Sequence, residues 1–157
     1  MTAQGAEQVI GSLRNILGDR IVTSMSVREH HSRDISRFPP VLPDAVVFPR
    51  TEEEVVQIVR LCAEHRVPVV PVGATSSLDG HIIPVRGGIT INMREMNQIR
   101  EIRPEDMLAV VEPGVTRKQL NTALRDTGLT FPIDPGADAS IGGMAATRAS
   151  GTTAVRY

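Results

Sequence analysis

Apolar residues recur at helical spacing near the start of the chain. Val9, Leu13, Ile16 and Leu17 share one face of a helix predicted over about residues 4–17, with Gly18 as its stop. Over residues 24–43 the periodicity dissolves into a polar stretch carrying His30, His31, Asp34 and the pair Pro39-Pro40. That stretch reads as a loop wrapped over something else and not as a core element. Beyond Pro43 the pattern sharpens. Residues 45–48 form a short buried strand closed by Pro49, and Thr51 opens a helix with Glu54 as its capping-box partner. Val55, Ile58, Val59 and Cys62 line one face of that helix. A second strand covers residues 67–72, with Pro68 restricting how its start pairs, and a third covers residues 88–93. Further strands are predicted at 99–102 and 108–112. Pro113-Gly114 makes a turn, and Thr116 caps a helix whose box is completed by Gln119. Val115 and Leu120 suit a hydrophobic staple, while Leu120, Ala123 and Leu124 give the buried face and Gly128 ends the helix. Strand, helix and strand followed by more strands predict an α+β architecture. Its expected form is a small parallel sheet with helices, followed by a second mixed or antiparallel strand layer.

Composition narrows the function. The 157 residues are 41% hydrophobic but only 3% aromatic, with no Trp, so the core is built from Val, Ile, Leu, Met and Ala. With 17 basic and 18 acidic residues the net charge is −1. No basic stripe exists to displace counterions from a nucleic-acid backbone, and stacking rings are scarce, so a nucleic-acid partner is not expected. The single cysteine, Cys62, excludes an internal disulfide and points to a reducing compartment. Residues 1–11 lack the apolar core of a signal peptide, and no run is long enough to span a bilayer. A soluble cytoplasmic protein is the expectation.

Two segments carry the candidate chemistry. In Pro71-Val72-Gly73-Ala74-Thr75-Ser76-Ser77-Leu78-Asp79-Gly80 a strand runs into small residues whose amides are not screened by bulky side chains. Consecutive amides of that kind form an anion-binding nest, with Thr75, Ser76 and Ser77 as further hydroxyl donors; a plain surface loop fits the same residues equally well. The second segment, residues 135–151, holds Pro135, Gly136, Gly142, Gly143 and Gly151 among small side chains. Gly142-Gly143 opening a short Ala-rich helix would aim free amides at a phosphate, against the alternative of a close-packed turn. Neither segment has the G-x-G-x-x-G spacing or a P-loop ending, which disfavours a Rossmann domain or a kinase-like site.

Four strings occur in order: Val-Val-Phe-Pro-Arg-Thr-Glu-Glu-Glu-Val (46–55), the loop at 71–80, Val-Glu-Pro-Gly-Val-Thr (111–116), and Asp-Pro-Gly-Ala-Asp-Ala-Ser-Ile-Gly-Gly-Met-Ala-Ala-Thr (134–147). Together they resemble the flavin domain of FAD-linked oxidases of the p-cresol methylhydroxylase/vanillyl-alcohol oxidase (PCMH) type. The block from Asp134 through Ser150-Gly151-Thr152 to Tyr157 is most similar to cytochrome-linked D-lactate dehydrogenases, with the glycolate oxidase flavin subunit next. The resemblance implies a PCMH-type FAD-binding domain over residues 43–157, incomplete at its C-terminus, preceded by an N-terminal helix and covering loop at 1–42, with the substrate domain absent. It implies FAD contacts from Pro71, Val72, Gly73, Ala74, Thr75, Ser76 and Ser77. On the second segment it implies contacts from Pro135, Gly136, Ala137, Ser140, Ile141, Gly142, Gly143, Ala145, Ser150 and Gly151. Thr75 stands where some members attach flavin through a His, which implies non-covalent FAD.

The implied activity is a D-2-hydroxyacid (D-lactate-like) dehydrogenase that passes a hydride from substrate C2 to flavin N5 and then electrons to a cytochrome or quinone-type acceptor. The implied location is cytoplasmic, at the membrane periphery in the full enzyme. The base and the groups that hold the substrate carboxylate belong to the absent domain, so no catalytic residue is assigned here. The isolated chain is expected to be inactive and to self-associate through an open sheet edge and uncovered apolar surface. A glycolate oxidase subunit, an alkylglycerone-phosphate-synthase-like member, or a non-catalytic interaction module are the alternatives. The spacing of His30, His31 and Asp34 matches no strong metal site, so no metal is expected. Cys62 on a buried face reads as a small hydrophobe, and Arg148 as either a phosphate contact or a surface ion-pair partner.

Overall fold

The computed structural model describes residues 3–153, 155 and 156; Met1 and Thr2, and Ala154 and Tyr157 in the block that resembles D-lactate dehydrogenases, lie outside the described residues. The chain divides into two units, residues 1–95 and 96–157.

The first unit is a four-stranded sheet with two long helices on one face and, on the other, a segment that contains one short helix. Helix α1 (Ala3–Leu17) buries Val9, Leu13 and Leu17, a strict i, i+4 row. Ile16 lies beside that row and is 36% exposed, so it is not part of the buried face expected of it. Gly18 ends the helix at φ +61, and a 3-10 turn leads into β1 (Ile21–Val22). This strand, unforeseen in the sequence, pairs antiparallel with β2 (Ala45–Val47). β2 pairs in parallel with β4 (Ile89–Asn92), and β4 in parallel with β3 (Val69–Val72), giving the order β1-β2-β4-β3. Pro71 sits on the edge strand β3, where a missing N–H costs the ladder least.

Side chains alternate across the sheet. Ala45, Val47, Ile89 and Ile91 meet α1 and α3 (Glu52–Glu64), whose Ile58 and Cys62 are fully buried. Val59 is 45% exposed because it is turned away from the Ile58–Cys62 row, which corrects the expected stripe. Burial alone lifts the Cys62 thiol to about 11, leaving an unreactive hydrophobe.

The opposite face presents Val46, Thr90 and Asn92, all buried. It is covered by the segment expected to be an irregular loop outside the core. Met25–His30 is instead helix α2, and His31 and Ser32 are buried. His31 Nδ1 donates to the Val27 carbonyl (2.8 Å), and Nε2 accepts from the Asn92 amide (2.9 Å). The Asn92 carbonyl oxygen is taken by the Arg94 N–H, so only its NH2 faces the ring. Burial, partly opposed by the Val27 carbonyl, pushes the His31 pKa below its ordinary value, as a neutral buried ring requires. Tertiary hydrogen bonding therefore makes part of this polar stretch a core element.

Thr51 caps α3 by accepting from the Glu54 N–H, but the Glu54 carboxylate does more than close a box. It accepts from the Arg50 N–H and takes a two-point contact from Arg20, both oxygens at 2.6 Å. The Arg20 hydrogen bond is the main cause that holds its pKa at about 2. The unfolded chain protonates this group near 4.5, so its stabilisation is complete above that pH and is lost as pH falls towards 2. Glu54→Gln is expected to cost about 1–3 kcal/mol at neutral pH and to flatten the loss of stability over that acid range. Urea denaturation at neutral pH and in acid measures this, and an unchanged acid slope in the variant would refute it.

The second unit contains the antiparallel pair β5 (Ile99–Arg103) and β6 (Leu108–Val111), with a register shift between Ile99 and Glu101. Helix α4 (Arg117–Leu124) has the full Thr116/Gln119 capping box, and Val115, Leu120 and Leu124 form the core beneath it. Ala123 points outward, contrary to expectation, because burial follows the Leu120–Leu124 row. Gly128 closes the following turn at φ +74. Glu112 is buried and accepts from the Gln98 N–H, which together with Arg100 keeps its carboxyl below the usual range. An apolar groove of about 470 Å3 runs past Leu108, Val111, Leu120, Leu124 and Phe131, and Met107 beside it is 82% exposed. Helix α5 (Ile141–Thr147) follows the second small-residue segment. The α+β class, with a small parallel sheet and a separate antiparallel pair, is the one expected. Among the described residues no helix is long and apolar enough to cross a membrane.

Candidate functional site

The two candidate segments fall in different units. Pro71 to Ser77 belong to the first, and Pro135 to Gly151 to the second.

The first leaves the carboxyl end of β3 beside its parallel neighbour β4. Ligands of open parallel sheets bind outside the carboxyl ends of strands. Val72 is buried as the last residue of the strand, and from Gly73 the chain bends without regular structure. Among the described residues, none of the backbone N–H groups from Gly73 to Leu78 donates to a protein acceptor. Thr75 within this run has φ +56, a left-handed conformation of the kind found in anion-binding nests of successive amides. These six donors suit a doubly charged diphosphate without any lysine or arginine. The hydroxyls contribute less than expected. Thr75 Oγ1 donates to the Ala74 carbonyl at 2.7 Å, and Ser77 Oγ pairs with His81 Nδ1 at 3.1 Å. Short local partners are available to both, so Thr75 offers lone pairs where a donor was foreseen.

Past Ser77 the loop is tied to its own unit. The Gly80 N–H donates to Asp34 Oδ2 at 2.7 Å, and the Phe38 ring lies so close that a Cβ on Gly80 would fall 2.5 Å from it. The Ser36 N–H donates to Asp34 Oδ1 at 2.9 Å. Sequence reasoning misses Asp34 and Phe38 as partners of this loop. The only local signal was the Asp34-x-Ser36 turn pattern, which does not reveal a contact with a residue so far along the chain.

The second segment departs further from expectation. Ser140 caps α5 by accepting from the Gly143 N–H, and Gly142-Gly143 do open that helix. Their amides are not free, however. Ile141 N–H donates to Val115 O (2.7 Å), Gly142 N–H to Pro113 O (2.9 Å), and Met144 N–H to Ser140 O. A Thr116–Ser140 antiparallel bridge draws the helix start onto the Pro113–Val115 turn, whose carbonyls take the Ile141 and Gly142 donors, while Ser140 takes those of Gly143 and Met144. Gly142 is needed for that approach, since a Cβ would fall 2.6 Å from Pro113. Gly151 is needed for another, since its Cβ would fall 2.1 Å from the Asp134 carbonyl oxygen. Close packing explains these two glycines directly. Gly136 differs: it has φ +85, its N–H donates to Asp134 Oδ1, and its Cα faces open space. Pro135, Ala145 and Ser150 are exposed, Ala137 and Ile141 are half-buried, and Ser140 is buried. Arg148 ends α5 at φ +52.

His31, one of the residues weighed as a metal ligand, has both ring nitrogens engaged with protein. Among the described residues no group of three His, Cys, Asp or Glu side chains is placed to hold a metal.

Residues 43–157 match the family described as FAD binding domain. The probable mitochondrial D-lactate dehydrogenase of Danio rerio is 50% identical over 152 residues, which is 96% of this chain and 31% of that protein. A solved structure of alkyldihydroxyacetonephosphate synthase superposes with a TM-score of 0.86 at 27% identity, covering 96% of this chain and 33% of that one. The crystal structure of p-cresol methylhydroxylase with substrate bound gives 0.82 at 26%, covering 95% and 30%. The chain thus spans about a third of the length of the proteins it matches. The amide-rich turn after β3 suits the diphosphate of the cofactor that this match requires. The chain belongs to the FAD binding domain family, in its PCMH-type fold, and its cofactor is FAD.

Proposed function

We propose that this chain is the FAD-holding part of a D-2-hydroxyacid dehydrogenase whose substrate is D-lactate or a close analogue. The observation that carries the site assignment is the run of unpaired amides from Gly73 to Leu78 inside the family-matched region. In this proposal Pro71 to Ser77 wrap the FAD diphosphate. Pro135, Gly136, Ala137, Ser140, Ile141, Gly142, Gly143, Ala145, Ser150 and Gly151 line the rest of the cofactor path, more through close backbone approach than through helix-start amides. When bound, FAD would supply the acceptor for the hydride leaving substrate C2 as the 2-hydroxy acid becomes a 2-oxo acid, with the hydroxyl proton passing to a base outside this chain's assigned residues and the electrons onward to a cytochrome or quinone-type acceptor. This chain's residues bind and orient the cofactor, and none of them is assigned as the base. Thr75 offers no ring nitrogen for a flavin bond, so FAD is held non-covalently.

The D-lactate assignment is supported by the half-identical D-lactate dehydrogenase relative. The alkyldihydroxyacetonephosphate synthase likeness favours a second reading, in which the same cradle serves a different substrate domain. The complete native polypeptide is expected to purify yellow, to release flavin into the supernatant on denaturation, and to reduce a dye with D-lactate. Colourless protein would overturn the FAD proposal, and flavin remaining with the precipitate would overturn non-covalent binding. Turnover of glycolate or an alkylglycerone phosphate with D-lactate inert would move the substrate to one of those classes.

A further inference from the structure

The turn that presents the Gly73 to Leu78 amides is supported at its far end by a segment from much earlier in the chain. Asp34 lies just beyond α2, on the stretch that covers the sheet face bearing Thr90 and Asn92. Its two carboxylate oxygens have separate tasks. Oδ1 accepts from Ser36 N–H, which fixes the side chain locally, and Oδ2 accepts from Gly80 N–H, which reaches across 46 residues to the loop. Four residues on, the Phe38 ring lies against Gly80, where an added Cβ would fall 2.5 Å from it, and Gly80 has φ +76, a conformation that favours glycine. The start of the same segment is anchored by the buried His31–Asn92 hydrogen bond to β4. The loop is therefore held at its near end by the β3–β4 ladder and at its far end by Asp34 and Phe38.

We infer that Asp34 is a positioning residue for FAD: through the Gly80 amide it fixes the far end of the 73–80 loop so that the intervening amides converge on the diphosphate. The inference rests on the proposed diphosphate role of that loop. Charge and position make opposite predictions here. A carboxylate close to an anion cradle repels the anion, so if charge alone mattered its removal would tighten FAD binding. If Asp34 acts by holding Gly80, its removal weakens binding. Burial raises the Asp34 pKa, but the Ser36, Gly80 and Ser77 hydrogen bonds outweigh it and keep the group ionised and accepting.

The test uses the complete native polypeptide and follows FAD affinity by flavin fluorescence quenching. A hydrogen bond to a charged group of this kind corresponds to about tenfold weaker FAD binding in Asp34→Ala. Asp34→Asn keeps an oxygen for Gly80 while removing the charge, and is expected to recover most of the affinity. The 31P resonances of bound FAD should shift in Asp34→Ala and stay near their wild-type positions in Asp34→Asn, a readout that general destabilisation would not produce. Phe38→Ala removes the other support on a half-exposed side chain, so it decides the matter even where Asp34→Ala fails to fold. Its expected result is weaker FAD binding at an unchanged Tm. Unchanged or tighter FAD binding in Asp34→Ala overturns the inference. So does an equal loss in the Ala and Asn variants that merely follows Tm, or wild-type affinity in Phe38→Ala. Absence of FAD from the wild-type protein overturns the function proposed above and this inference with it. Bound FAD that is indifferent to Asp34 overturns this inference alone.

Discussion

Gly88→Ala is expected to unfold the first unit, or to leave it about 3 kcal/mol or more less stable. Gly88 holds φ +88, and a Cβ there would stand 2.2 Å from the Pro68 carbonyl oxygen and 2.8 Å from its carbon. That carbonyl accepts from Ile89 N–H at 2.9 Å, where β3 and β4 begin to pair, so it cannot retreat without breaking the bond. On its other side Gly88 exchanges two hydrogen bonds with Asp44: its N–H donates to Oδ2 at 2.7 Å, and its carbonyl accepts from Asp44 N–H at 2.8 Å. One residue thus ties the start of the central strand to both neighbours. Gly11→Ala is the control, because its Cβ would meet nothing within 4 Å and it sits inside α1. That change should stabilise by about 0.5–1 kcal/mol. Urea denaturation measures both. A Gly88→Ala midpoint close to wild type would show that the backbone there adjusts at little cost.

Gly73→Val is expected to empty the complete native polypeptide of flavin, by more than about tenfold in occupancy, while far-UV circular dichroism hardly changes. Gly73 is the first residue past the Val72 end of β3, and six amides without acceptors start there. A branched side chain stiffens this position and screens the neighbouring N–H groups from a diphosphate, losing several charge-assisted hydrogen bonds together. No core residue is altered, so the fold remains. Flavin absorbance per mole of protein reads the outcome, and full occupancy would remove this loop from the site. Unlike Gly88, Gly73 is expected to govern binding and not folding.

Much of this was legible locally. The Thr116/Gln119 box, the α1 and α3 rows and the β2, β3 and β4 strands follow from residues within a few positions of one another, and such interactions form wherever those residues occur. The small-residue character of 71–80 and 134–151 was equally visible. Its meaning was not. Both segments look like sources of free amides, yet the first keeps its donors open while the helix start of the second gives the Ile141 and Gly142 N–H groups to the Pro113–Val115 turn. Which outcome applies depends on what packs alongside, and that information is absent from either segment.

The N-terminal third shows the same limit. Polar residues between α1 and β2 read as a covering loop, but polarity alone could not show that His31 is buried and bonded to Asn92, or that Asp34 bonds to Gly80. By itself the sequence determined the order of the elements from β2 to α4, the Thr51 and Thr116 helix caps, the absence of an internal disulfide and, through four ordered motifs, the FAD-binding family. Those depend on short-range periodicity, side-chain chemistry and composition. The tertiary structure decided which face each apolar residue uses, which amides remain for a ligand, and which distant side chains support the loop that presents them. Those outcomes depend on burial and on competition for hydrogen-bond partners between residues far apart in the chain, and only folding brings such residues together.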